Sequence, residues 1–316
     1  MTALLEVDGL KTYFRADGEY VKAVDDVSFR VNKGESVGLA GESGCGKTTV
    51  ALSLMRLLPS NASIQGGRIL YEGQDIVSMS DRRLRKTRWK EISIVFQGAM
   101  NALNPVKRVV DQIAEPMILH GDVSKPAARK AAERLVELVG IDKTRAKEYP
   151  HEFSGGMRQR VMIAMALACD PRLVILDEPT TALDVMTKTQ IQQLVKNIQK
   201  ELDLSTILIT HDLSVIAETC EKVAIMYAGK LAEYGDVVSV FKAPLHPYTE
   251  GLIKAFPNIR GSRELPASIP GTPPNLLHPP AGCRFAPRCP IAGKECEALP
   301  PDKTLETGRF VSCWKR

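Results

Sequence analysis

The sequence predicts an α/β fold built on a parallel sheet, from three observations. Gly41-Glu42-Ser43-Gly44-Cys45-Gly46-Lys47-Thr48 lies between a short apolar run, Ser36 to Ala40, and a helix-like stretch, Thr49 to Met55. Leu173-Val174-Ile175-Leu176 is an unbroken apolar run that ends on two carboxylates, Asp177 and Glu178. Residues 154–240 then alternate helical and strand patterns. Apolar runs without alternation suit strands buried on both faces, and their alternation with helices implies parallel pairing.

The first segment fits G-x-x-x-x-G-K-[ST] in the strand–loop–helix context that this motif needs. Its glycines let the backbone curl so that successive N–H groups face phosphates, and the helix start adds partial positive charge. Lys47 is placed to reach the β- and γ-phosphates of ATP, and Thr48 to ligate Mg²⁺. Residues 41–48 and the adjoining Thr49 are therefore the candidate ATP contacts of the loop. Asp177 and Glu178 stand at the carboxyl end of a strand, where open α/β sheets bind ligands. Asp177 suits Mg²⁺, and Glu178 suits a general base that polarises the attacking water.

Ser154-Gly155-Gly156-Met157 narrows the class. Serine is a strong N-cap, and paired glycines let backbone approach an anion. Together with Thr181-Ala182-Leu183-Asp184 and a lone His211 after Ser205 to Thr210, this ordered series resembles the ATP-binding cassette (ABC) subunits of membrane transporters. The resemblance implies a P-loop NTPase (RecA-like) core with an antiparallel β subdomain, an inserted helical subdomain and a loop-rich C-terminal extension. It implies that Ser154, Gly155, Gly156 and Asp184 contact ATP held by a partner cassette, so two cassettes pack head to tail. Gln97 looks like the glutamine that senses Mg²⁺, His211 like the switch histidine at the γ-phosphate, and Phe14 like the adenine-stacking aromatic. Tyr13 is the alternative, because neighbouring strand residues face opposite ways. Catalysis would then rest on Glu178, His211 and Lys47, and Mg²⁺ on Thr48, Gln97 and Asp177.

Phe153 and Met157 depart from the common Leu-Ser-Gly-Gly-Gln. The run Tyr149 to Arg160 resembles the dipeptide and oligopeptide permease ATPases, whose systems often pair two different ATPase chains. The implied partners are a second, different ATPase subunit, two transmembrane permease subunits and, through the complex, an extracytoplasmic binding protein. The implied place is the cytoplasmic face of the cell membrane, held peripherally. No apolar run approaches the roughly 18 residues of a membrane span, and Glu6 and Asp8 stand where a signal peptide is apolar. A net charge of +5 is mild and does not argue for nucleic acid. The densest basic run, Arg82 to Lys90, reads first as a solvated helix face.

The expected boundaries are 1–97 and 154–242 for the two parts of the nucleotide-binding core, 98–153 for the helical subdomain and 243–316 for the extension. Thirteen of the 20 prolines fall between Pro244 and Pro301, so the extension reads as loop with one short helix, about Tyr248 to Phe256. Cys283, Cys289, Cys296 and Cys313 crowd into its end at C-x5-C-x6-C-x16-C spacing. A proline-rich tail would gain from a metal staple, and related peptide-permease ATPases suggest a [4Fe–4S] cluster, with Zn²⁺ as the alternative. The competing function is a soluble ABC-type regulator with a redox-sensing iron–sulfur tail.

Overall fold

Alternating burial sets the first two strands, β1 (Ala3–Ala16) and β2 (Glu19–Asn32), which are joined by Asp17-Gly18. Both turn residues have positive φ, the requirement of a two-residue hairpin that matches strand twist. In chain order there follow β3 (Ser36–Ala40), α1 (Lys47–Leu54), β4 (Ala62–Tyr71), β5 (Gln74–Asp75), α2 (Asp81–Lys90), β6 (Ile92–Val95), α3 (Val109–His120) and α4 (Lys125–Leu138). Next come α5 (Gly155–Ala166), β7 (Leu173–Asp177), α6 (Val185–Leu202), β8 (Ser205–Ile209), α7 (Leu213–Thr219), β9 (Lys222–Tyr227), β10 (Lys230–Asp236), α8 (Val237–Lys242) and α9 (Pro247–Lys254). The last strands are β11 (Asp302–Thr304) and β12 (Phe310–Ser312). The structure is a computed structural model and describes residues 3–98, 102–121, 123–181, 183–255 and 268–316. Ala182 and Phe256, both named above, lie outside the described residues.

The chain divides into two compact units. The first takes its described residues from 32–35 and 79–208. Its strands run in the order β8–β7–β6, and β6 pairs in parallel with β7 from Ile92↔Leu173 to Val95↔Leu176. All five residues of β7 are buried, as the unbroken apolar run requires. Residues 109–166 supply the helices α3, α4 and α5, which pack on one another. Ala128, Ala132 and Val136, four residues apart on α4, are fully buried and form its inward stripe. The basic run forms α2, with Leu84 and Thr87 buried and Arg82, Arg83, Arg85 and Lys86 exposed, the pattern of a solvated face. Arg88 and Trp89 leave helical geometry, and the Trp89 ring stacks on His120 at 6.3 Å.

The second unit takes its described residues from 3–31, 36–78 and 209–316. One sheet runs β2–β1–β4–β5, with β1 and β4 antiparallel from Leu5↔Tyr71 to Phe14↔Ala62. Its other strands run β11–β12–β10–β9–β3. β3 and β9 are parallel, while β9, β10, β12 and β11 are successively antiparallel. The extension therefore holds more regular structure than one helix. β11 and β12 lie beyond the last proline, Pro301, where backbone N–H groups are again available for a ladder.

Candidate active site

The loop between β3 and α1 is shaped by its glycines. Gly46 caps α1 at φ 105°, and a Cβ there would stand 2.1 Å from the Ala23 carbonyl oxygen. A Cβ on Gly41 would meet the Met226 carbonyl oxygen at the same distance. No side chain fits either place without moving backbone. Lys47 is buried, and its ammonium donates to the carbonyls of Gly41 at 2.8 Å and Glu42 at 3.0 Å. The lysine thus folds back on its own loop. Burial pushes the Cys45 thiol up, against the opposing pull of the Lys47 charge. Thr48, Ser43 and Gly44 are exposed.

Tyr13 and Phe14 are both half-buried on β1. The Tyr13 hydroxyl donates to Asp25 at 2.7 Å, and its ring lies 6.3 Å from that of Tyr20. Burial, then the Asp25 bond, push its hydroxyl well above the usual phenol range. His211 is exposed in a tight turn after β8. The Asp212 N–H donates to the Thr210 hydroxyl at 3.0 Å, and Asp212 caps α7 through the Ser214 N–H at 3.0 Å.

In the first unit, Asp177 ends β7 and is 1% exposed. Glu178 follows at φ 46°, a left-handed conformation that is uncommon for a side-chain-bearing residue and concentrates at functional sites. Its carboxylate accepts from the Gln97 amide at 3.0 Å and the Thr181 hydroxyl at 2.8 Å. Gln97 and Glu178, 81 residues apart, thereby share one hydrogen bond. Ser154 caps α5, its hydroxyl accepting from the Met157 N–H at 3.3 Å. Asp184 caps α6, accepting from the Thr187 N–H at 3.0 Å and hydroxyl at 2.6 Å, and these bonds hold its carboxyl below the usual range. The two departures from the common signature share a partner. The Arg145 guanidinium lies 4.8 Å over the Phe153 ring and 3.2 Å from the Met157 sulfur. Gly156 meets Thr187 so closely that a Cβ would stand 2.4 Å from its methyl group.

The cysteines of the extension do not form a ready ligand set. The Cys283 N–H donates to the Cys296 carbonyl at 2.9 Å. Yet among the described residues no group of three or more His, Cys, Asp or Glu is arranged to hold a metal ion. The expected staple through Cys283, Cys289, Cys296 and Cys313 is therefore absent from the described geometry. Cys296 and Cys313 are buried as small apolar residues, and burial pushes the Cys283 and Cys289 thiols up, toward the neutral form.

Other contacts hold the extension. Phe285 is 3% exposed and packs edge-on against Tyr227 and Tyr248, at 5.1 and 5.4 Å. Arg284 bonds to Asp25 and to the Ala228 carbonyl, Arg288 bonds to Glu42, and Arg309 bonds to the fully buried Glu233. The sequence reading missed these arginines because proline and cysteine content dominated it. The signal for two of them is Cys283-Arg284-Phe285-Ala286-Pro287-Arg288, two arginines astride an aromatic in an otherwise uncharged run, and Arg309 has no such signal.

Residues 24–181 match the family profile described as ABC transporter, and residues 232–296 match the one described as oligopeptide/dipeptide transporter, C-terminal region. The chain is 47% identical over 320 residues to the dipeptide transport ATP-binding protein DppD of Bacillus subtilis (strain 168), covering 99% of this chain and 95% of that protein. It is 46% identical over 315 residues to the oligopeptide transport ATP-binding protein OppD of Escherichia coli (strain K12), covering 99% and 93%. Among solved structures it resembles the dimeric, post-hydrolysis ATP-binding cassette MJ0796 bound to ADP and Pi, with TM-score 0.66, 27% identity, and coverage of 74% of this chain and 98% of that one. CbiO1 from Clostridium perfringens, part of the transporter complex cbiONQ, matches with TM-score 0.66 and 27% identity over 77% of this chain and 92% of that one.

Proposed function

The chain belongs to the ABC transporter ATPase family, and we propose that it is the ATP-hydrolysing subunit of a membrane importer for dipeptides or oligopeptides. The observation that carries this reading is identity of 46–47% over 99% of the chain to transport ATP-binding proteins of that cargo class. The separate match of the extension at residues 232–296 supports the same class. A soluble redox-sensing regulator, the competing expectation, finds no support among these relatives. Among the described residues no helix is long and apolar enough to cross a membrane. Attachment at the cytoplasmic face would then run through two permease subunits, with a binding protein outside and a second, different ATPase beside it.

Within this reading the loop 41–48 wraps the phosphates, and Lys47 exchanges the Gly41 and Glu42 carbonyls for phosphate oxygens. Tyr13 takes the adenine in preference to Phe14. Its ring is fixed by Asp25, two residues from Ala23, whose carbonyl abuts Gly46 of the loop. Thr48, Asp177 and Gln97 offer the hard oxygen donors that Mg²⁺ prefers and would hold it, where it neutralises phosphate charge. Glu178 polarises the attacking water, oriented by Gln97 and Thr181, and His211 contacts the γ-phosphate. Ser154, Gly155, Gly156 and Asp184 serve the partner's nucleotide. The four thiols of the extension have the donor chemistry for a [4Fe–4S] cluster or Zn²⁺. Iron and zinc analysis of anaerobically purified protein tests that point, and protein free of both metals would refute it. For the main reading, E178Q in the assembled transporter keeps shape but removes the carboxylate charge. Turnover falls by at least about a hundredfold while ATP still binds. Near-normal hydrolysis at a site that depends on Glu178 would refute the assignment.

A further inference from the structure

Arg288 belongs to the extension, yet its strongest partner belongs to the phosphate loop. Its guanidinium meets the Glu42 carboxylate through two parallel bonds, Nη1 to Oε2 at 2.6 Å and Nη2 to Oε1 at 2.9 Å. Nε donates to the Pro270 carbonyl at 2.8 Å, and Nη1 also donates to the Tyr227 hydroxyl at 3.2 Å. The arginine side chain is 4% exposed and that of Glu42 is 27% exposed. A fork of this kind fixes direction as well as distance.

Glu42 is the second residue of the loop and is held from three sides. Its carboxylate takes Arg288, its N–H donates to the Tyr248 hydroxyl at 2.9 Å, and its carbonyl accepts from Lys47 at 3.0 Å. Arg288 and Tyr248 both come from beyond residue 243. When Lys47 turns to phosphate, its bonds to the Gly41 and Glu42 carbonyls are lost. The Cys45 N–H still donates to the Glu42 carbonyl at 3.3 Å, and the two extension residues are the contacts from outside the loop that then hold Glu42. A second arginine of the extension acts nearby. Arg284 bonds to Asp25, which accepts the Tyr13 hydroxyl, and to the Ala228 carbonyl. The next residue, Gly229, donates its N–H to the Cys45 carbonyl at 2.9 Å.

We propose that the C-terminal extension is a working part of the ATP site, and that Arg288 is a positioning residue for the phosphate loop, acting through Glu42. The inference rests on the ATPase reading above. It requires Arg288 to set ATP affinity, whereas a contact that merely docks the extension would alter stability alone.

The test is titration of the full-length chain with a fluorescent ATP analogue in the presence of Mg²⁺, beside its thermal unfolding curve. R288A is expected to weaken nucleotide binding about tenfold, because the loop loses its fork and a buried charge partner. R288K restores only part, since an ammonium cannot form two parallel bonds. E42Q changes the loop side and keeps the extension's own residues unaltered, and it weakens binding in the same direction. The R288A/E42Q double variant binds no more weakly than R288A, as expected of two groups acting through one contact. Folded R288A and E42Q that both bind within about twofold of the parent chain would overturn the proposal, as would losses that multiply in the double variant. If R288A does not fold, E42Q alone decides by the same criterion. A parent chain that binds no nucleotide would overturn the ATPase reading, and this inference with it.

Discussion

The phosphate loop and the C-terminal extension lie in the same unit, yet they are ordered by different physics. The loop is a backbone object. Its shape follows from glycines at positive φ, and its one buried cation is satisfied by the loop's own carbonyls. The extension is a side-chain object. Proline strips it of many backbone donors, and its position depends on Phe285 among aromatic rings and on arginines paired with acids from earlier in the chain. A backbone object fails first at its glycines. A side-chain object fails wherever an anchor is cut or an anchor's charge state changes.

Gly46→Ala should break the loop most severely. The added methyl group would overlap the Ala23 carbonyl at 2.1 Å, and the positive φ strains any side chain. Nucleotide binding should disappear, measured by titration, while the extension stays protected in amide hydrogen exchange. Loss of protection in both regions would show that the two are less separable than their physics suggests.

Phe285→Ala is the corresponding cut in the extension. Removing a buried phenyl ring costs about 3–5 kcal/mol of stability. Amide exchange should rise first in residues 268–316, and thermal unfolding should begin earlier. Unchanged protection there would mean that the arginine pairs suffice to hold the segment.

Acid supplies a gentler probe. His246 is buried among Phe285, Tyr248 and the segment near Ser312, and burial pulls its pKa down to about 4, against a stabilising bond to Ser312. Its Nδ1 accepts from the Tyr248 N–H at 3.0 Å, so the neutral ring is the folded form. The unfolded chain binds the proton near pH 6.5 and the folded chain only near 4. Stability is therefore full above about 6.5 and falls with pH between these values, by up to about 3 kcal/mol. Denaturant unfolding of the parent chain and H246Q across this window should show a shallower slope for the variant. Identical slopes would assign the acid sensitivity elsewhere.

Much of the molecule was legible from sequence. The strand–loop–helix at 36–54, the buried strand ending on Asp177 and the helices at 109–138 follow from apolar patterning and punctuation. Patterning reports burial, and burial is what a strand or helix face most directly encodes. The paired role of Arg145 was not legible. Phe153 and Met157 stand out as odd residues, but the guanidinium that covers both lies at least eight positions earlier and carries no motif.

The sequence by itself determined the class of the fold and the chemistry on offer. Glycine, lysine and carboxylate at set spacings act through local backbone geometry, which adjacent residues dictate. Only the tertiary structure decided what holds the extension. The ion pair of Arg288 and Glu42 joins residues 246 positions apart, and that of Arg284 and Asp25 joins residues 259 apart. Such pairs leave no periodic trace, because a single buried charge needs one partner in space and no pattern along the chain. The four cysteines show the converse. Their clustering in sequence predicted a ligand set, but proximity along a chain does not by itself set side-chain direction, and among the described residues no group of three or more is arranged to hold a metal ion.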